Sequence, residues 1–378
     1  MGLVITEEQG LLKESARDYL KENASIALLR KLRDDNDENR YSPDVWKSMA
    51  EMGWAGLIIP EAFGGMGFDY LGMGQLLEET GRTLTSSPLF SSALVSATLI
   101  NLAGNQLQKE KYLPAIAEGT IISLASEEAS HHDPRQVQLT ARKKGDGFIL
   151  NGKKNYVLDG QVADHFIVSA RTADHSDSKS GISLFIIPAS AVGISKKSAV
   201  LMDSRVCAHL TIENVEVSQK QLLGELDKGY KLLQKTIDIA AIGLSAELLG
   251  IIQEAFERTI SYLKERRQFD KIIGSFQALQ HRAAQMYSEI EICKSLVIKA
   301  LQGIDEDSFM LPALASMAKA KCSKVAQLVT NEGVQMFGGI GMTDDEDIGL
   351  FLKRARVAME LYGNYNYHLD RFATLNGY

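Results

Sequence analysis

The chain has 378 residues, of which 45% are hydrophobic and 24% charged, and a formal net charge of −7. This size predicts two or three domains, and the composition is typical of a soluble globular protein. The basic residues are scattered, which argues against nucleic-acid binding. No run approaches the roughly 20 uninterrupted apolar residues of a membrane helix.

Cysteine and histidine spacing argues against a metal centre. The three cysteines show no CxxC spacing, and the seven histidines include no HExxH motif. We therefore expect buried thiols, with neither a zinc site nor a disulfide framework. The first residues lack a basic region followed by an apolar one, so we expect a cytoplasmic protein.

The first third of the chain carries helical periodicity. Ser42 and Pro43 mark one helix start, because serine caps the first turn and proline suits the first helical position. The apolar-periodic runs are EEQGLLKESARDYLKE, SPDVWKSMAEMG, YLGMGQLLEETGRTL and residues 89–103 and 106–117. They predict an all-α domain over residues 1–118.

The pattern then changes twice. Short alternating runs such as HFIVSAR and ISLFIIPA, separated by glycine-containing turns, predict a middle β domain over residues 119–226, either a small barrel or a sandwich. Over residues 227–378, four long apolar-striped segments with short connections predict an antiparallel four-helix bundle. The fold class is therefore α+β multi-domain, in the order α, β, α.

One carboxylate interrupts the apolar segment 239–252: Glu247. Burying a lone carboxylate costs several kcal/mol unless it is paired, protonated or facing a wet cavity. In an apolar ligand cavity it would be a strengthened general base. The alternative is a structural carboxylate that pairs with a buried arginine or lysine, or that accepts a backbone N–H.

Two segments of the last domain have ligand-binding chemistry. Gly338 and Gly339 follow a helix, where glycines let backbone N–H groups approach an anion or a flat ring, although a simple helix C-cap gives the same pattern. Arg266 and Phe269 lie near another helix end, where a guanidinium can bind a diphosphate and an aromatic side chain can cover a ring. The alternative for the arginine is a solvent-facing position that favours the helix dipole.

Seven ordered motifs make the chain resemble the acyl-CoA dehydrogenases over nearly its whole length. They are GLIIPEAFGG at 56–65, KEKYLPAIAEG at 109–119, ASEEASHHD at 125–133, NGKKNYVLDG at 151–160, VEVSQKQLLG at 215–224, the segment of Arg266 and Phe269, and GVQMFGGIG at 333–341. The family's plan of helical, β and four-helix-bundle domains has the order inferred above. The resemblance implies an FAD cofactor held between two subunits, usually in a dimer of dimers.

The resemblance also assigns cofactor-binding roles to particular residues. Those expected beside the isoalloxazine ring are Ser126, Glu127, Asp133, Tyr156 and Leu158. Arg266 and Phe269 are expected at the pyrophosphate. The loop that a neighbouring subunit contributes to the dinucleotide is expected to contain Gln335, Gly338 and Gly339.

The chain departs from the family pattern at functional positions. Tyr156, Val157 and Leu158 replace Trp-Ile-Thr, which removes a hydroxyl expected near flavin N5, and Asp270 replaces a glycine. Gly363 occupies the place of the usual catalytic glutamate. A second known location for the base aligns with Ala240, two helical turns before Glu247. The Ala-Glu pair that ends at Glu247 makes the chain resemble a branch of the family, often heteromeric, that acts on bulky, steroid-derived or dicarboxylic acyl-CoAs.

These observations predict an FAD-dependent acyl-CoA dehydrogenase of β-oxidation or steroid side-chain catabolism. It would form a trans-2-enoyl-CoA with Glu247 as base and pass electrons to an electron-transferring flavoprotein, as a homotetramer or as a heterotetramer with a homologous subunit. One alternative is a non-catalytic or half-site partner subunit of a heteromeric enzyme. Another is an acyl-CoA oxidase.

Overall fold

The computed structural model describes residues 3–173 and 178–378. The helices are α1 (Glu7–Asn23), α2 (Ile26–Asp34), α3 (Pro43–Glu51), α4 (Tyr70–Thr83), α5 (Ala97–Ala103), α6 (Gln106–Ala117), α7 (Gly229–Glu265), α8 (Gln277–Asp305), α9 (Leu311–Phe337), α10 (Ile348–Glu360) and α11 (Tyr365–Leu375). The strands are β1 (Ile122–Ala125), β2 (Thr140–Lys144), β3 (Gly147–Leu158), β4 (His165–Arg171), β5 (Ile182–Pro188), β6 (Ile194–Val200), β7 (Val206–Ser218), β8 (Leu222–Leu223), β9 (Arg267–Gln268) and β10 (Lys271–Ile272).

The predicted order of a helical, a β and a helical part is confirmed. Helices α1 to α6 precede β1, and α7 to α11 follow β8. Ser42 caps α3 as predicted, since its Oγ accepts a hydrogen bond from the backbone N of Val45 at 3.3 Å, and Pro43 occupies the first turn. The sequence pattern missed α2, α11 and the short hairpin formed by β9 and β10.

Strands β1 to β8 form one eight-stranded sheet with the order β6-β7-β3-β2-β4-β5-β8, and β1 pairs with β4. The β1–β4 pair is parallel, whereas β3 pairs antiparallel with β7. The β3–β7 register shifts between Lys154 and Val157. Such a bulge redirects side chains at the end of a strand, and it falls in the predicted flavin-contacting segment.

The chain divides into two compact units, which are named here by their main element. The bundle unit comprises Met1–Lys31, Tyr70–Thr85 and Ala241–Tyr378, and the sheet unit comprises Leu32–Asp69 and Ser86–Ala240. The domain limits at 118 and 226 rest on changes in the apolar periodicity of the sequence and stay a prediction.

Helix α7 is the long core element that carries Glu247. In the part of the chain that the structure describes, α7 is the one helix long and apolar enough to cross a membrane, but 83% of its apolar window is buried inside the protein, as in a core helix. It packs tightly on α4, because a Cβ on Gly81 would meet the carbonyl of Glu247 and a Cβ on Gly250 would meet that of Glu78. All three cysteines are free and buried.

Candidate functional site

Glu247 is held in a buried ion pair with Arg354. The Arg354 Nη1 atom donates to Glu247 Oε1 at 3.1 Å, and the two residues are 1% and 3% exposed, respectively. The guanidinium also donates to the carbonyls of Thr85 at 3.1 Å and Leu84 at 2.9 Å. This geometry contradicts the prediction that Glu247 faces a ligand cavity as the base. The carboxylate neutralises a buried cation, which is the structural role left open by the sequence.

The position of the usual base is closed to a larger side chain. Gly363 is buried with φ +99°, and the preceding Tyr362 has φ +53°. A Cβ at Gly363 would clash with the ring of Tyr367. The second position, Ala240, is fully buried. Neither place therefore provides a carboxylate.

Lys319 supports the segment around Gly363. Its Nζ donates to the carbonyl of Gly363 at 3.0 Å and to that of Met359 at 2.9 Å, and its side chain is fully buried. Burial lowers the pKa of Lys319 to about 7, although the nearby Glu360 carboxylate raises it in part. This lysine is thus a support for the loop backbone.

In the sheet unit, Ser126 and Glu127 directly follow β1. The buried Lys154 of β3 fastens this segment, because its Nζ donates to Glu128 Oε1 at 2.6 Å, to Ser169 Oγ at 2.9 Å and to the carbonyl of Ser126 at 3.3 Å. Burial lowers the pKa of Lys154, and the Glu128 carboxylate opposes this shift. The end of β1 is therefore fixed to the end of β3.

The next two residues of β3 extend this connection. The backbone N of Asn155 donates to the carbonyl of Glu127 at 2.7 Å, and its amide donates to the carbonyl of Glu128 at 2.6 Å. Tyr156 has φ +52°, is 47% exposed and contacts His209 edge to face, with ring centroids 4.9 Å apart. The structure therefore brings Ser126, Glu127 and Tyr156 together.

The other two predicted residues of the sheet unit differ in environment. Leu158 is 8% exposed and packs in the sheet opposite Cys207 of β7. Asp133 binds Arg135 through both carboxylate oxygens, at 2.8 and 2.9 Å. Burial alone would raise the pKa of Asp133, but the hydrogen bonds from Arg135 outweigh it and hold the pKa below its usual range. Asp133 is thus engaged in a local turn.

In the bundle unit, Arg266 and Phe269 lie around a tight hairpin. Strands β9 and β10 pair so that Phe269 and Asp270 form a two-residue turn, and both have positive φ, +55° and +61°. Such turns favour asparagine or glycine, so a phenylalanine there is strained. Its ring is 85% exposed. The exposed Arg266 guanidinium makes no ion pair with any residue that the structure describes.

The glycine segment, which consists of Gly338 and Gly339, lies at the same end of the bundle unit. Tyr262 of α7 stacks on Phe337 of α9 with ring centroids 4.2 Å apart, and its hydroxyl donates to the Phe337 carbonyl at 3.2 Å. This contact joins the helix that ends before Arg266 to the helix that ends before Gly338. Both Gly338 and its neighbour at 339 are exposed, and a Cβ on either would meet nothing within 4 Å.

The predicted cofactor residues thus form two groups, one in each unit. The donor chemistry fits FAD: a guanidinium for a diphosphate, an exposed glycine backbone that a ligand can approach closely, and exposed aromatic rings for flat surfaces. Among the described residues, no group of three or more His, Cys, Asp or Glu side chains is placed to hold a metal ion. Sequence reasoning missed Lys154, Asn155 and His209, because only their three-dimensional contacts distinguish them from surface residues.

Comparisons with known proteins indicate the same family as the sequence motifs do. The chain matches the N-terminal, middle and C-terminal domains of acyl-CoA dehydrogenase over residues 6–120, 123–215 and 227–374, respectively. It is 31% identical to 3-(aryl)acrylate reductase of Clostridium sporogenes, with 94% of each chain covered.

Two solved structures are similar over nearly the whole chain. Butyryl-CoA dehydrogenase from Megasphaera elsdenii has a TM-score of 0.91 at 27% identity, with 100% of both chains covered. A variant of the Tcur3481-Tcur3483 steroid ACAD has a TM-score of 0.88 at 30% identity, with 98% of both chains covered. The chain is thus an oxidoreductase of the class that acts on CH–CH groups. It belongs to the acyl-CoA dehydrogenase family.

Proposed function

We propose that this chain binds FAD and dehydrogenates an acyl-CoA thioester between its α and β carbons, giving a trans-2-enoyl-CoA. The observation that carries the proposal is the exposed guanidinium of Arg266 at the same end of the bundle unit as an exposed glycine segment, where the two preceding helices meet through Tyr262 and Phe337. Bound FAD would supply the acceptor for the hydride of the β carbon. The α proton would go to a base other than the paired Glu247, since positions 240 and 363 carry no carboxylate.

The chain's own residues would bind and orient the cofactor. Arg266 binds the pyrophosphate, Phe269 covers a ring, and the exposed backbone at Gly338 and Gly339 lies against the dinucleotide together with Gln335. Tyr156 packs against the isoalloxazine ring, and Leu158 places an apolar side chain where relatives have a hydroxyl. In an oligomer, the glycine segment would serve the cofactor of a neighbouring subunit.

A second candidate is a half-site partner subunit. It is favoured by Gly363, where a Cβ would clash with Tyr367, and by the ion pair that occupies Glu247. In this case a second homologous chain provides the base that removes the α proton. The similarity to a steroid ACAD with a two-part designation supports both this arrangement and a bulky acyl substrate.

The remaining assignments follow from the same proposal. We propose a homotetramer or a heterotetramer with a homologous subunit, located in the cytoplasm, with an electron-transferring flavoprotein as the next electron acceptor. An acyl-CoA oxidase would instead reduce oxygen. Rapid formation of hydrogen peroxide during turnover would identify the oxidase.

The visible spectrum of the purified chain tests the proposal. A yellow chain that bleaches without oxygen when acyl-CoA is added supports the dehydrogenase, and a yellow chain that no acyl-CoA bleaches supports the half-site subunit. A chain that stays colourless after incubation with FAD contradicts the dehydrogenase and favours the half-site subunit, whose cofactor site a second homologous chain would complete. Co-purification of a second homologous chain would identify the partner.

Arg266→Ala tests the cofactor site itself. Losing a charge-assisted contact to a diphosphate is expected to weaken FAD binding at least tenfold, measured by flavin fluorescence. The matched control is Arg267→Ala, one residue further along the same exposed hairpin. Equal FAD affinity in the two variants would contradict the role given to Arg266.

A further inference from the structure

Tyr156 is a strained residue with an exposed ring. It has φ +52°, lies within the β3–β7 register shift and is 47% exposed. Positive φ at a non-glycine residue is unfavourable and persists where surrounding contacts enforce it, often at functional sites. The contacts that enforce this geometry therefore bear on the flavin site.

His209 provides the ring contact. Its imidazole meets the Tyr156 ring edge to face, with centroids 4.9 Å apart and planes at 69°. Its Nδ1 lies 3.0 Å from Asn155 Oδ1. Because the Asn155 amide nitrogen donates to the Glu128 carbonyl, Oδ1 is the acceptor, and Nδ1 of His209 is the protonated nitrogen.

The same asparagine ties this ring pair to the end of β1. Asn155 bonds the carbonyls of Glu127 and Glu128 at 2.7 and 2.6 Å, while its side-chain oxygen holds His209. The orientation of the imidazole is thus set by the segment that also carries Ser126. A displacement of His209 would release Tyr156 without cutting the Lys154 contacts.

We propose that His209 is a positioning residue for the flavin site, which acts by holding the exposed Tyr156 ring in the orientation that supports the isoalloxazine. The inference rests on the proposed function, since it requires FAD. It assigns to His209 no contact with substrate and no proton transfer.

The sheet unit contains a matched pair for comparison. Tyr112 and His165 also meet edge to face, with centroids 5.3 Å apart and planes at 74°, but Tyr112 is 6% exposed. His165 lies opposite Ile122 in the register, at the far end of β1 from Ser126. His165→Ala therefore removes a similar ring contact from a buried tyrosine away from the proposed flavin site.

The test compares His209→Ala, His209→Phe and His165→Ala with the wild-type chain. FAD affinity is measured by fluorescence titration of the apoprotein, and the flavin environment by visible absorbance and circular dichroism. We expect His209→Ala to weaken FAD binding about two- to tenfold, from the usual value of an aromatic pair, and to alter the flavin spectrum. His209→Phe, which keeps a ring on Tyr156, is expected to restore affinity to within about twofold.

His165→Ala is expected to lower thermal stability while leaving FAD affinity and spectrum at the wild-type values. Unchanged FAD affinity and spectrum in His209→Ala would overturn the inference, as would an equal loss in His165→Ala. If His209→Ala does not fold, His209→Leu replaces it in the same comparison. A wild-type chain that binds no FAD would instead overturn the proposed function.

Discussion

Two buried cations of the bundle unit are stabilised in different ways. Arg354 of α10 has a carboxylate partner, Glu247, together with two carbonyls. Lys319 of α9 donates to the carbonyls of Met359 and Gly363, and the carboxylate that raises its pKa belongs to the exposed Glu360.

The difference follows from the chemistry of the two side chains. An arginine keeps its proton at any ordinary pH, so burial requires a counter-charge. A lysine can instead lose its proton, and burial lowers the pKa of Lys319 to about 7. A neutral amine donates two hydrogen bonds, which matches the two carbonyls. The acid in α7 is therefore needed for Arg354, while Lys319 needs no such partner.

Breaking the Arg354 pair is expected to have the largest effect. Glu247→Gln removes the carboxylate charge that pairs with the buried guanidinium, which should lower the free energy of unfolding by about 3 kcal/mol, as measured by urea denaturation. Because Glu247 is not placed as the base, flavin reduction per folded molecule should change less than about tenfold.

The control for this variant is Glu265→Gln at the exposed end of the same helix, which should change stability by no more than about 0.5 kcal/mol. A loss of several orders of magnitude in flavin reduction with unchanged stability would restore Glu247 as the base.

Lys319→Met sharpens the comparison through pH. The pKa of Lys319 is about 7 in the folded chain against an ordinary 10.5, so the unfolded chain binds more protons between these values. The stability that the wild-type chain derives from this residue therefore rises with pH across that window. The difference in free energy of unfolding between the wild-type chain and Lys319→Met should grow by about 2 kcal/mol, in favour of the wild type, from about pH 7 to about pH 9. A difference that stays flat would show that Lys319 keeps its proton.

Glu360→Gln is expected to have the smallest effect. The Glu360 carboxylate raises the pKa of Lys319, so its removal should move the rise in stability to lower pH. The net change in unfolding free energy should stay within about 0.5 kcal/mol, because the side chain is exposed. Asp345→Asn, also exposed, should leave the pH profile unmoved. Identical profiles for the two variants would contradict the coupling.

Much of the fold follows from the sequence because periodicity is a local property. Most helices and the β part were predictable from apolar spacing, and the start of α3 from Ser42 and Pro43, but α2 was missed. The hairpin at Phe269 was missed because two-residue strands carry no periodic signal. Helix α11, with the sequence YNYHLDRFATL, was missed because it is short and has a single buried residue, His368.

The site was less predictable because it depends on pairs that are distant in sequence. The apolar segment 239–252 indicated correctly that Glu247 is buried. Nothing near it in the sequence indicated that its partner is Arg354, which is 107 positions away. Lys154 and Lys319 look like ordinary surface lysines, and only packing shows that they are buried. The resemblance to family motifs indicated the exposed cofactor residues because a motif is read from neighbouring positions in the sequence, without knowledge of three-dimensional contacts.

The backbone at Gly363 has a consequence for the redesign of this chain. With φ +99° and the Tyr367 ring occupying the space of a side chain, a lone change to glutamate there meets both strain and collision. An acidic side chain at 363 would therefore need a smaller residue at 367 as well, and a designer who wants one there should begin with the tyrosine.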